Sequence, residues 1–566
     1  MKLKQQINQY LADALAKASI QVDEISVSEA GKPEFGDYQF NGIMPLAKAL
    51  KRNPREIAAE VAGHIDLSGL IAKVEVAGPG FINLWLDDAF LGAEAGRALK
   101  DPRLGVGKRP SPTRVVIDYS GPNMAKQMHV GHLRSTIIGD TLSNLLSFLG
   151  DEVIRQNHIG DWGTQFGMLI AYLEEIGQET GDENLRDLEQ FYKNAKRRFD
   201  EDGAFADRAR EYVVKIQSGD PHCLRLWKKF IDISLGHCEE IYSKLDVKLR
   251  REDVRAESFY NEKLPEVIGE LEKRGKLQVS QGAKCVFLEG EEIPIIVQKG
   301  DGGYLYATTD LAALWFRAEA LGAKRISYVV DARQAGHFKQ VFRLARESGL
   351  VGEDVLLEHV AFGTMMDKSG KPFKTRDGST VKLVDLLDEA VVRAREAIKA
   401  KETLDPAALE NLARIVGIGA VKYADLSINR ESNYIFDWDK MLSLEGNTSL
   451  YQQYAYARIM SIFRRYGGDI GGTIVIGNEI EHRLVLLLLR FEDLLEKAAK
   501  DAAPHQITAY LYDVTSSFMR FYEQNPILKE GIEEETRQSR LALSALTAGV
   551  IRQGLSLLGI GVVERL

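Results

Sequence analysis

Short apolar segments alternate with amphipathic helical segments through the middle of this 566-residue chain, from about residue 106 to residue 440. The clearest strand is the β-branched run of Val115, Val116 and Ile117, which is typical of a buried parallel strand. The helix after it is marked by apolar residues at helical spacing: Leu133, Ile137, Ile138 and Leu142. This alternation predicts an α/β fold with a doubly wound, Rossmann-like parallel sheet that binds its ligands at the carboxyl ends of the strands.

The two ends of the chain follow other patterns. The first helix presents one apolar face, formed by Ile7, Tyr10, Leu11, Ala14, Leu15 and Ala18. Strand-like alternation follows at 74–86, so the N-terminal part is expected to be α+β. The C-terminal part is helical throughout, with an apolar stripe typical of a bundle core: Ile507, Tyr510, Leu511, Val514, Phe518 and Phe521.

These patterns predict three domains, in keeping with a length that allows about three or four. We expect an α+β domain at 1–105, the doubly wound domain at 106–440 and an all-α bundle at 441–566. A long charged helical stretch, at about 167–277, is expected to be an insertion into the doubly wound domain. The stretch 100–114 is rich in Pro, Gly and basic residues and is interpreted as a linker.

The composition is that of an ordinary globular protein, with 45% hydrophobic and 27% charged residues. The N-terminus lacks the apolar core of a signal peptide, and the apolar run 485–489 is too short to cross a bilayer. We therefore expect a cytoplasmic protein without a membrane partner. Its three cysteines lack the close spacing of a zinc site and are too few for a disulfide framework.

A net charge of −9 does not exclude a nucleic-acid partner, because phosphate binding depends on where lysine and arginine cluster. Local basic clusters occur at 196–198, 228–229, 250–251 and 464–465. Each alone is usual for a solvated surface. A contact with a polyanion would therefore be locally focused and sensitive to salt.

Two histidines mark the turn between the first strand and its helix. His129 and His132 are separated by Val130 and Gly131, and the glycine allows a phosphate to approach the backbone closely. The start of a helix offers unpaired N–H groups and partial positive charge, which makes it an anion site. The imidazoles could donate hydrogen bonds to a reacting phosphate.

A lone His-x-Gly-His is also consistent with a helix cap or with surface histidines. Its position after an apolar strand favours the functional interpretation, as do Asp118, Asn123 and Lys126 just upstream. The residues by themselves indicate a nucleotide-phosphate site and no particular reaction.

The whole segment 118–136, DYSGPNMAKQMHVGHLRST, resembles the first signature of the arginyl-tRNA synthetases, a family of class I aminoacyl-tRNA synthetases. His-x-Gly-His alone would be shared with other nucleotidyl-transferring enzymes. The flanking Ser120, Pro122, Asn123 and Lys126 narrow the resemblance to the arginine branch.

The resemblance implies a monomeric ligase that uses ATP, L-arginine and tRNA(Arg). The arginine carboxylate would attack the α-phosphate to give arginyl-adenylate, and a terminal ribose hydroxyl of the tRNA would then take the arginyl group. Mg²⁺ would accompany ATP without a dedicated protein site. In this family the tRNA is needed even for the first step.

By the same resemblance, His129, Gly131 and His132 bind ATP, and both histidines are catalytic. Asp118 and Asn123, with His129, would hold the ammonium and carboxylate ends of arginine.

A second segment, 302–317, contains Tyr304, Leu305 and Tyr306, which suggest a strand end. Thr308 or Thr309 would then cap a helix. Asp310 could be only a helix-dipole partner. The resemblance instead places Tyr306 and Asp310 around the substrate guanidinium, for which a bidentate carboxylate is the natural partner.

A third strand-to-helix segment, 328–342, supplies two further candidates by resemblance. Gln334 would lie near the arginine side chain. His337 would either approach the nucleotide or cap its helix.

The segment 362–383 carries mobile cations that suit a triphosphate, including Lys371 and Lys374, although its composition alone is that of an exposed loop. Class I synthetases carry Lys-Met-Ser-Lys-Ser here, whereas this chain has Phe-Lys-Thr-Arg at 373–376 and lacks the second lysine. In arginyl enzymes that share this departure, the lysine before the first motif, here Lys126, is thought to compensate. Whether Lys126, Lys371 or Lys374 stabilises the transition state is left open.

The end domains supply candidate tRNA contacts. Phe81 and Asn83 match D-loop contacts of the family, or else are a core residue and a turn cap. Tyr454, Tyr456 and Arg458 lie at the entry to a helical domain that resembles the anticodon-binding domain, where they would stack on bases or pack in the core.

Two alternative functions from other classes of protein stay open: a catalytically silent tRNA-binding paralogue and a small-molecule nucleotidyltransferase.

Overall fold

The computed structural model describes residues 2–22, 24–177, 188–373, 381–399 and 404–566. Its N-terminal part is a four-stranded antiparallel sheet, in the order β1-β2-β4-β3, packed against helices. The predicted α+β character is confirmed. Its elements are α1 (Leu3–Lys17), β1 (Ser28–Glu29), β2 (Tyr38–Phe40), α2 (Ile43–Leu50), α3 (Pro54–Gly63), β3 (Ile71–Ala77), β4 (Phe81–Leu86) and α4 (Asp88–Lys100).

The central part alternates strands and helices. Its elements are β5 (Arg114–Asp118), α5 (Leu133–Leu149), β6 (Glu152–Gln156), α6 (Thr164–Glu175), α7 (Leu188–Glu201), α8 (Gly203–Gln217), α9 (Pro221–Lys244), α10 (Leu264–Lys273), β7 (Gln278–Ser280), β8 (Ala283–Val286), β9 (Ile295–Gln298), α11 (Tyr306–Trp315), β10 (Arg325–Tyr328), α12 (Ala335–Glu347), β11 (Leu356–His359), β12 (Met365–Met366), α13 (Leu383–Lys399), α14 (Pro406–Leu426), β13 (Tyr434–Ile435) and α15 (Trp438–Met441).

The central sheet is parallel, with the strand order β11-β10-β5-β6. Strand β5 lies inside it, and Val115, Val116 and Ile117 have no exposed surface, as their β-branched run predicts. The order means that the chain leaves the sheet after β6 and returns at β10 on the other side of β5. Helices α6 to α11 and the small antiparallel sheet β7-β8-β9 are built from the intervening residues.

The C-terminal part is a helical bundle, as the apolar stripes predict. Its helices are α16 (Ser449–Tyr466), α17 (Glu479–Leu489), α18 (Phe491–Lys500), α19 (Pro504–Gln524) and α20 (Glu534–Leu557). Most of the predicted stripe on α19 is fully buried. Within the described ranges, no helix combines the length and the apolar composition that a membrane span requires.

The stretch 100–114, before β5, has the composition of a linker, but hydrogen bonds hold it against its neighbours. Arg109 donates hydrogen bonds to Asp151, at the start of the turn into β6, and to Glu496 on α18. The backbone N–H of Gly107 donates to Glu492 on the same helix, at 3.1 Å. These contacts tie the central sheet to the helical bundle.

Candidate active site

A cavity of about 1000 Å³ opens at the carboxyl ends of β5 and β10. Three segments that are distant in sequence meet there because the carboxyl ends of parallel strands share one edge of the sheet. The cavity is lined by nine of the predicted site residues: Asp118, Asn123, His129, Gly131, His132, Tyr306, Asp310, Gln334 and His337.

The turn after β5 has an unusual backbone. Ser120 has φ +73° and is followed by Gly121 at +52°, so two consecutive residues adopt the left-handed region. The Ser120 hydroxyl is 2.8 Å from the Tyr242 hydroxyl, and its N–H donates to Ser135 at 2.9 Å. The N–H of Gly121 donates to Asn157, also at 2.9 Å. Contacts from α5, α9 and the end of β6 therefore hold the turn in this form.

The two histidines lie at a short 3₁₀ turn, Val130–His132, that leads into α5. Their ring centroids are 4.1 Å apart. A Cβ at Gly131 would lie only 2.7 Å from Cε1 of His129. Glycine is therefore required here so that the His129 ring can fold over the turn.

Backbone N–H groups favour the same tautomer in both imidazoles, although the carbonyl oxygen of His129 also lies 3.3 Å from Nδ1 of His132. Gly131 donates to Nδ1 of His129 at 3.0 Å, and the N–H of His129 donates to Nδ1 of His132 at 3.1 Å. A neutral imidazole that accepts at Nδ1 carries its proton on Nε2. Each histidine can therefore offer an Nε2–H donor to a ligand in the cavity.

Burial keeps both histidines neutral. It lowers the pKa of His132 to about 3, with a smaller contribution from His129. The pKa of His129 is also lowered, by burial and by the charge of Lys126. The lowered pKa values favour the neutral form of both imidazoles near pH 7.

Tyr306 and Asp310 lie one helical turn apart on the same face of α11, which opens at the cavity. The predicted cap is wrong: Leu305 occupies the N-cap, and α11 begins at Tyr306. Thr308 instead lies inside the helix, where its hydroxyl donates to the carbonyl of Val297 at 2.6 Å. Sequence reasoning missed this because the hydroxyl is used by β9 rather than by the helix terminus.

Asp310 is already held from one side. Nε2 of His337, in the first turn of α12, lies 2.6 Å from Oδ2 of Asp310. The hydrogen bond to Asp310 raises the pKa of His337, against the effect of burial. His337 therefore contacts Asp310, the carboxylate that is predicted to bind the guanidinium. The sequence analysis expected a contact with the nucleotide or a helix cap, and neither of these roles includes a contact with Asp310.

Asp118 and Asn123 line the same cavity from the end of β5 and the turn after it. Asp118 ends β5, and its Oδ1 accepts the backbone N–H of His158 at 3.1 Å. Asn123 Oδ1 accepts the N–H of Ala125 at 3.0 Å, which stabilises the turn and leaves the amide N–H₂ as a donor.

Glu257 also lines the cavity, and the sequence analysis did not identify it. It begins the 3₁₀ segment Glu257–Lys263, which follows the long helices between β6 and β10. Burial raises its pKa to about 7, and repulsion from Asp161 and Asp310 adds to the effect. No motif surrounds it in the sequence, so only the return of the chain to the sheet could reveal its position.

Of the three predicted lysines, the two that the structure describes, Lys126 and Lys371, do not line the cavity. Lys126 is exposed, and its Nζ lies 4.7 Å from the centre of the Tyr192 ring on α7. Lys371 is exposed in a turn closed by Asp367, while its neighbours Pro372 and Phe373 reach the cavity. Lys374 lies outside the described residues.

The candidate tRNA contacts do not line the cavity. Phe81 opens β4 and is half-buried, whereas Asn83 in the same strand is only 2% exposed. Oδ1 of Asn83 accepts a hydrogen bond from the side chain of Gln39 at 2.7 Å. The Asn83 side chain is thus buried and engaged within the domain, and its predicted contact with tRNA stays a prediction. The turn-cap alternative is wrong, since Asn83 lies within a strand.

On α16, Tyr454 and Arg458 are half-buried, and Tyr456 is buried. Arg458 donates to the Tyr454 hydroxyl at 3.2 Å and stacks over Tyr522 of α19, 4.6 Å from the ring centre. Tyr456 is thus a core residue, while Tyr454 and Arg458 retain exposed surface.

The parallel sheet, the paired histidines at the start of its first helix and the C-terminal helical bundle define a class I aminoacyl-tRNA synthetase. The model of the class I (R) tRNA synthetase catalytic domain matches residues 97–438. The arginyl-tRNA synthetase N-terminal domain matches 1–86, and the DALR anticodon binding domain matches 452–566. The chain therefore belongs to the arginyl-tRNA synthetase family.

Full-length relatives agree with this assignment. Arginine–tRNA ligases of Alteromonas mediterranea and Cellvibrio japonicus are each 52% identical, over 98% and 100% of both chains respectively. The arginyl-tRNA synthetase of Plasmodium falciparum has a TM-score of 0.87 at 30% identity, and both chains are covered completely. That of Thermus thermophilus, at 0.80 and 23% identity, supports the fold. These matches favour a ligase over both rivals, the silent paralogue and the small-molecule nucleotidyltransferase.

Proposed function

We propose that this chain activates L-arginine with ATP and transfers it to tRNA(Arg), and that the cavity over β5 and β10 is where both steps occur. The observation that carries this proposal is the meeting of two neutral Nε2–H donors with the acidic pair Asp310 and Glu257 in one cavity. The donors suit a phosphate, and the acids suit a guanidinium.

At the acidic end, Asp310 and Glu257 hold the arginine guanidinium from two sides, and Tyr306 and Gln334 complete its surroundings. The 2.6 Å bond from His337 keeps Asp310 in place, so its second oxygen stays available for the guanidinium. A neutral analogue such as citrulline would leave both acids without a cationic partner, which is costly in a partly buried site.

At the other end, Asp118 accepts from the substrate ammonium, and the Asn123 amide donates to its carboxylate. This carboxylate attacks the α-phosphorus of ATP, an O–P bond forms, and the bond to pyrophosphate breaks. An ionised carboxylate needs no general base. Catalysis by the protein consists of positioning and of stabilising the charge on the phosphate oxygens through His129 and His132.

The nucleotide lies on the turn at Gly131, and Mg²⁺ enters with ATP as part of the substrate. Lys126, Lys371 and Lys374 are the candidate cations for the leaving pyrophosphate. Lys126 would have to swing from the Tyr192 ring to reach it, a movement that a long, exposed lysine side chain allows.

The proposed domains are 1–105, 106–440 and 441–566. The first and the last of these domains bind the tRNA. Phe81 in the first and Tyr454 and Arg458 in the last retain exposed surface for bases. We further infer a cytoplasmic monomer in which the tRNA acceptor end completes the site for activation.

Charging of tRNA with radiolabelled arginine tests the proposal. Wild-type enzyme should charge arginine and reject lysine and citrulline, while Asp310→Asn should raise the KM for arginine far more than that for ATP. Equal increases in both values would show that Asp310 has only a structural role. Binding of tRNA without charging of any amino acid would contradict the proposed activity.

A further inference from the structure

One arginine is completely buried directly beneath the cavity. Arg317 has no exposed surface and lies in a single π-helical turn, Phe316–Ala320, that continues α11. Side chains on a helix lean towards its N-terminus. The Arg317 guanidinium therefore extends back towards the end of α11 that carries Tyr306 and Asp310.

This guanidinium lies against the last residues of three neighbouring strands. Its Nη2 donates to Oδ2 of Asp118 at 2.8 Å, and its Nε donates to Oε1 of Gln156 at 2.6 Å. Its Cζ is 4.7 Å from the centre of the Tyr328 ring. Asp118, Gln156 and Tyr328 end β5, β6 and β10, and they stand side by side in the sheet.

Among the proposed arginine ligands that the structure describes, Arg317 forms a hydrogen bond only with Asp118. A carboxylate offers about four acceptor positions, and the protein uses two, one for Arg317 and one for the N–H of His158. The Nη2–H of Arg317 holds Oδ2 and the N–H of His158 holds Oδ1, so the two contacts together orient the carboxylate and leave its remaining positions for a donor in the cavity.

We propose that Arg317 is a positioning residue of the arginine site, which orients Asp118 so that it receives the α-ammonium of the substrate. Arg317 does not touch the substrate, and it acts only through Asp118. The inference rests on the proposed role of Asp118 in binding that ammonium.

Substrate analogues separate this role from a general structural one. Agmatine keeps the guanidinium and an amine but lacks the carboxylate, whereas 5-guanidinopentanoate lacks the α-amino group. In Arg317→Met, the KM for arginine and the inhibition constant of agmatine should each rise ~10-fold or more, the scale of a lost hydrogen bond to a charged group. The inhibition constant of 5-guanidinopentanoate and the KM for ATP should change less than about twofold, since neither contact uses Asp118.

Further variants keep the test decisive if Arg317→Met folds poorly. Arg317→Lys keeps the charge but not the fork, so the KM for arginine should rise less than in Arg317→Met. Arg325→Met removes an arginine at the start of β10 that pairs with Glu358 away from the cavity, and it should leave both KM values unchanged. In the double variant with Asp118→Asn, the KM for arginine should be no higher than in Asp118→Asn alone.

The outcomes for the Asp118 and Arg317 variants distinguish the two proposed roles. An unchanged KM for arginine in Asp118→Asn would overturn the proposed role of Asp118 itself. A raised KM in Asp118→Asn together with an unchanged KM in both Arg317 variants would overturn the inference on Arg317. It would also be overturned if 5-guanidinopentanoate and agmatine were weakened equally, because this would indicate a collapse of the whole cavity.

Discussion

Two backbone hydrogen bonds favour the Nε2–H tautomer in both members of the histidine pair. Because Gly131 and His129 donate to the two Nδ1 atoms, both Nε2–H groups are left for the substrate. The sequence shows the histidines and the glycine, but it does not show which nitrogen carries the proton. That assignment depends on the fold of the 3₁₀ turn, where the His129 ring lies over Gly131.

His132→Ala should lower kcat ~100-fold or more, the scale of one lost donor to a charge that develops in the transition state. The KM values for arginine and tRNA should change little, because neither is held by this imidazole. His132→Gln, which can place an amide donor near the same point, should recover part of kcat. Steady-state charging kinetics measure all three quantities, and an unchanged kcat in His132→Ala would refute the role of the pair.

We expect Glu257 to make arginine binding dependent on pH. Its pKa is raised to about 7 by burial, so part of the population is neutral at pH 7, and a guanidinium binds better to the ionised form. The KM for arginine should therefore rise by about tenfold as the pH falls from 8 to 6. In Glu257→Gln the KM should be high at every pH, and its slope should be lost.

His337 titrates in the same cavity and provides the control for that measurement. Its pKa is raised by the bond to Asp310, so it could add its own pH dependence. His337→Asn should retain the dependence that Glu257 causes. If the slope disappears in His337→Asn and persists in Glu257→Gln, the assignment to Glu257 is wrong.

Local patterns predict the elements of this fold better than their contacts. The β-branched run at β5 and the helical spacing of α5 each depend on neighbours in sequence, and both elements are found where the pattern indicates. The predicted start of α11 was wrong because the Thr308 hydroxyl donates to the carbonyl of Val297 in β9 and does not cap the helix. Glu257 and the buried Arg317 were missed because their partners are distant in sequence: Asp161 and Asp310 for Glu257, and Asp118 and Gln156 for Arg317. A lone arginine among apolar residues of a helix is nevertheless a signal that can be recognised.

Thr308 ties the first turn of α11 to β9. Thr308→Val keeps the shape but leaves the buried carbonyl of Val297 without its donor, which should lower the free energy of unfolding by about 1–3 kcal/mol. Because α11 carries Tyr306 and Asp310, the KM for arginine should also rise. Thr308→Ser keeps the hydroxyl and should preserve this KM. Thermal unfolding and charging kinetics on both variants check the prediction, and equal KM values in the two would contradict it.

At the scale of the whole molecule, the N-terminal sheet and the C-terminal bundle are joined by a charged contact. His482 on α17 lies 2.9 Å from Asp37 and 2.6 Å from Asp88, each through a different ring nitrogen. Burial alone would lower the pKa of His482, but the bonds to the two carboxylates raise it to about 9. The two ends that are proposed to hold the tRNA are therefore connected by an imidazolium at neutral pH.

This contact should make stability fall as the pH rises. The raised pKa means that the contribution of His482 is complete below its ordinary value of about 6.5 and is lost as the pH passes about 9. At pH 6.5, His482→Gln should lower the free energy of unfolding by ~1 kcal/mol, a modest value because Asp88 is exposed. Thermal unfolding of the two proteins from pH 6 to pH 10 should show the difference shrinking, and a constant difference would exclude the proposed ionisation.

The most direct test of the central claim is arginine-dependent exchange of pyrophosphate into ATP, with and without tRNA(Arg), in wild type and in His132→Ala. We predict exchange in the wild type only when arginine and tRNA are both present, none with lysine or citrulline, and a loss of ~100-fold in the variant. Exchange with arginine alone would retain the enzyme but refute the need for tRNA. Bound tRNA with no exchange under any condition would contradict the claim that this cavity activates arginine.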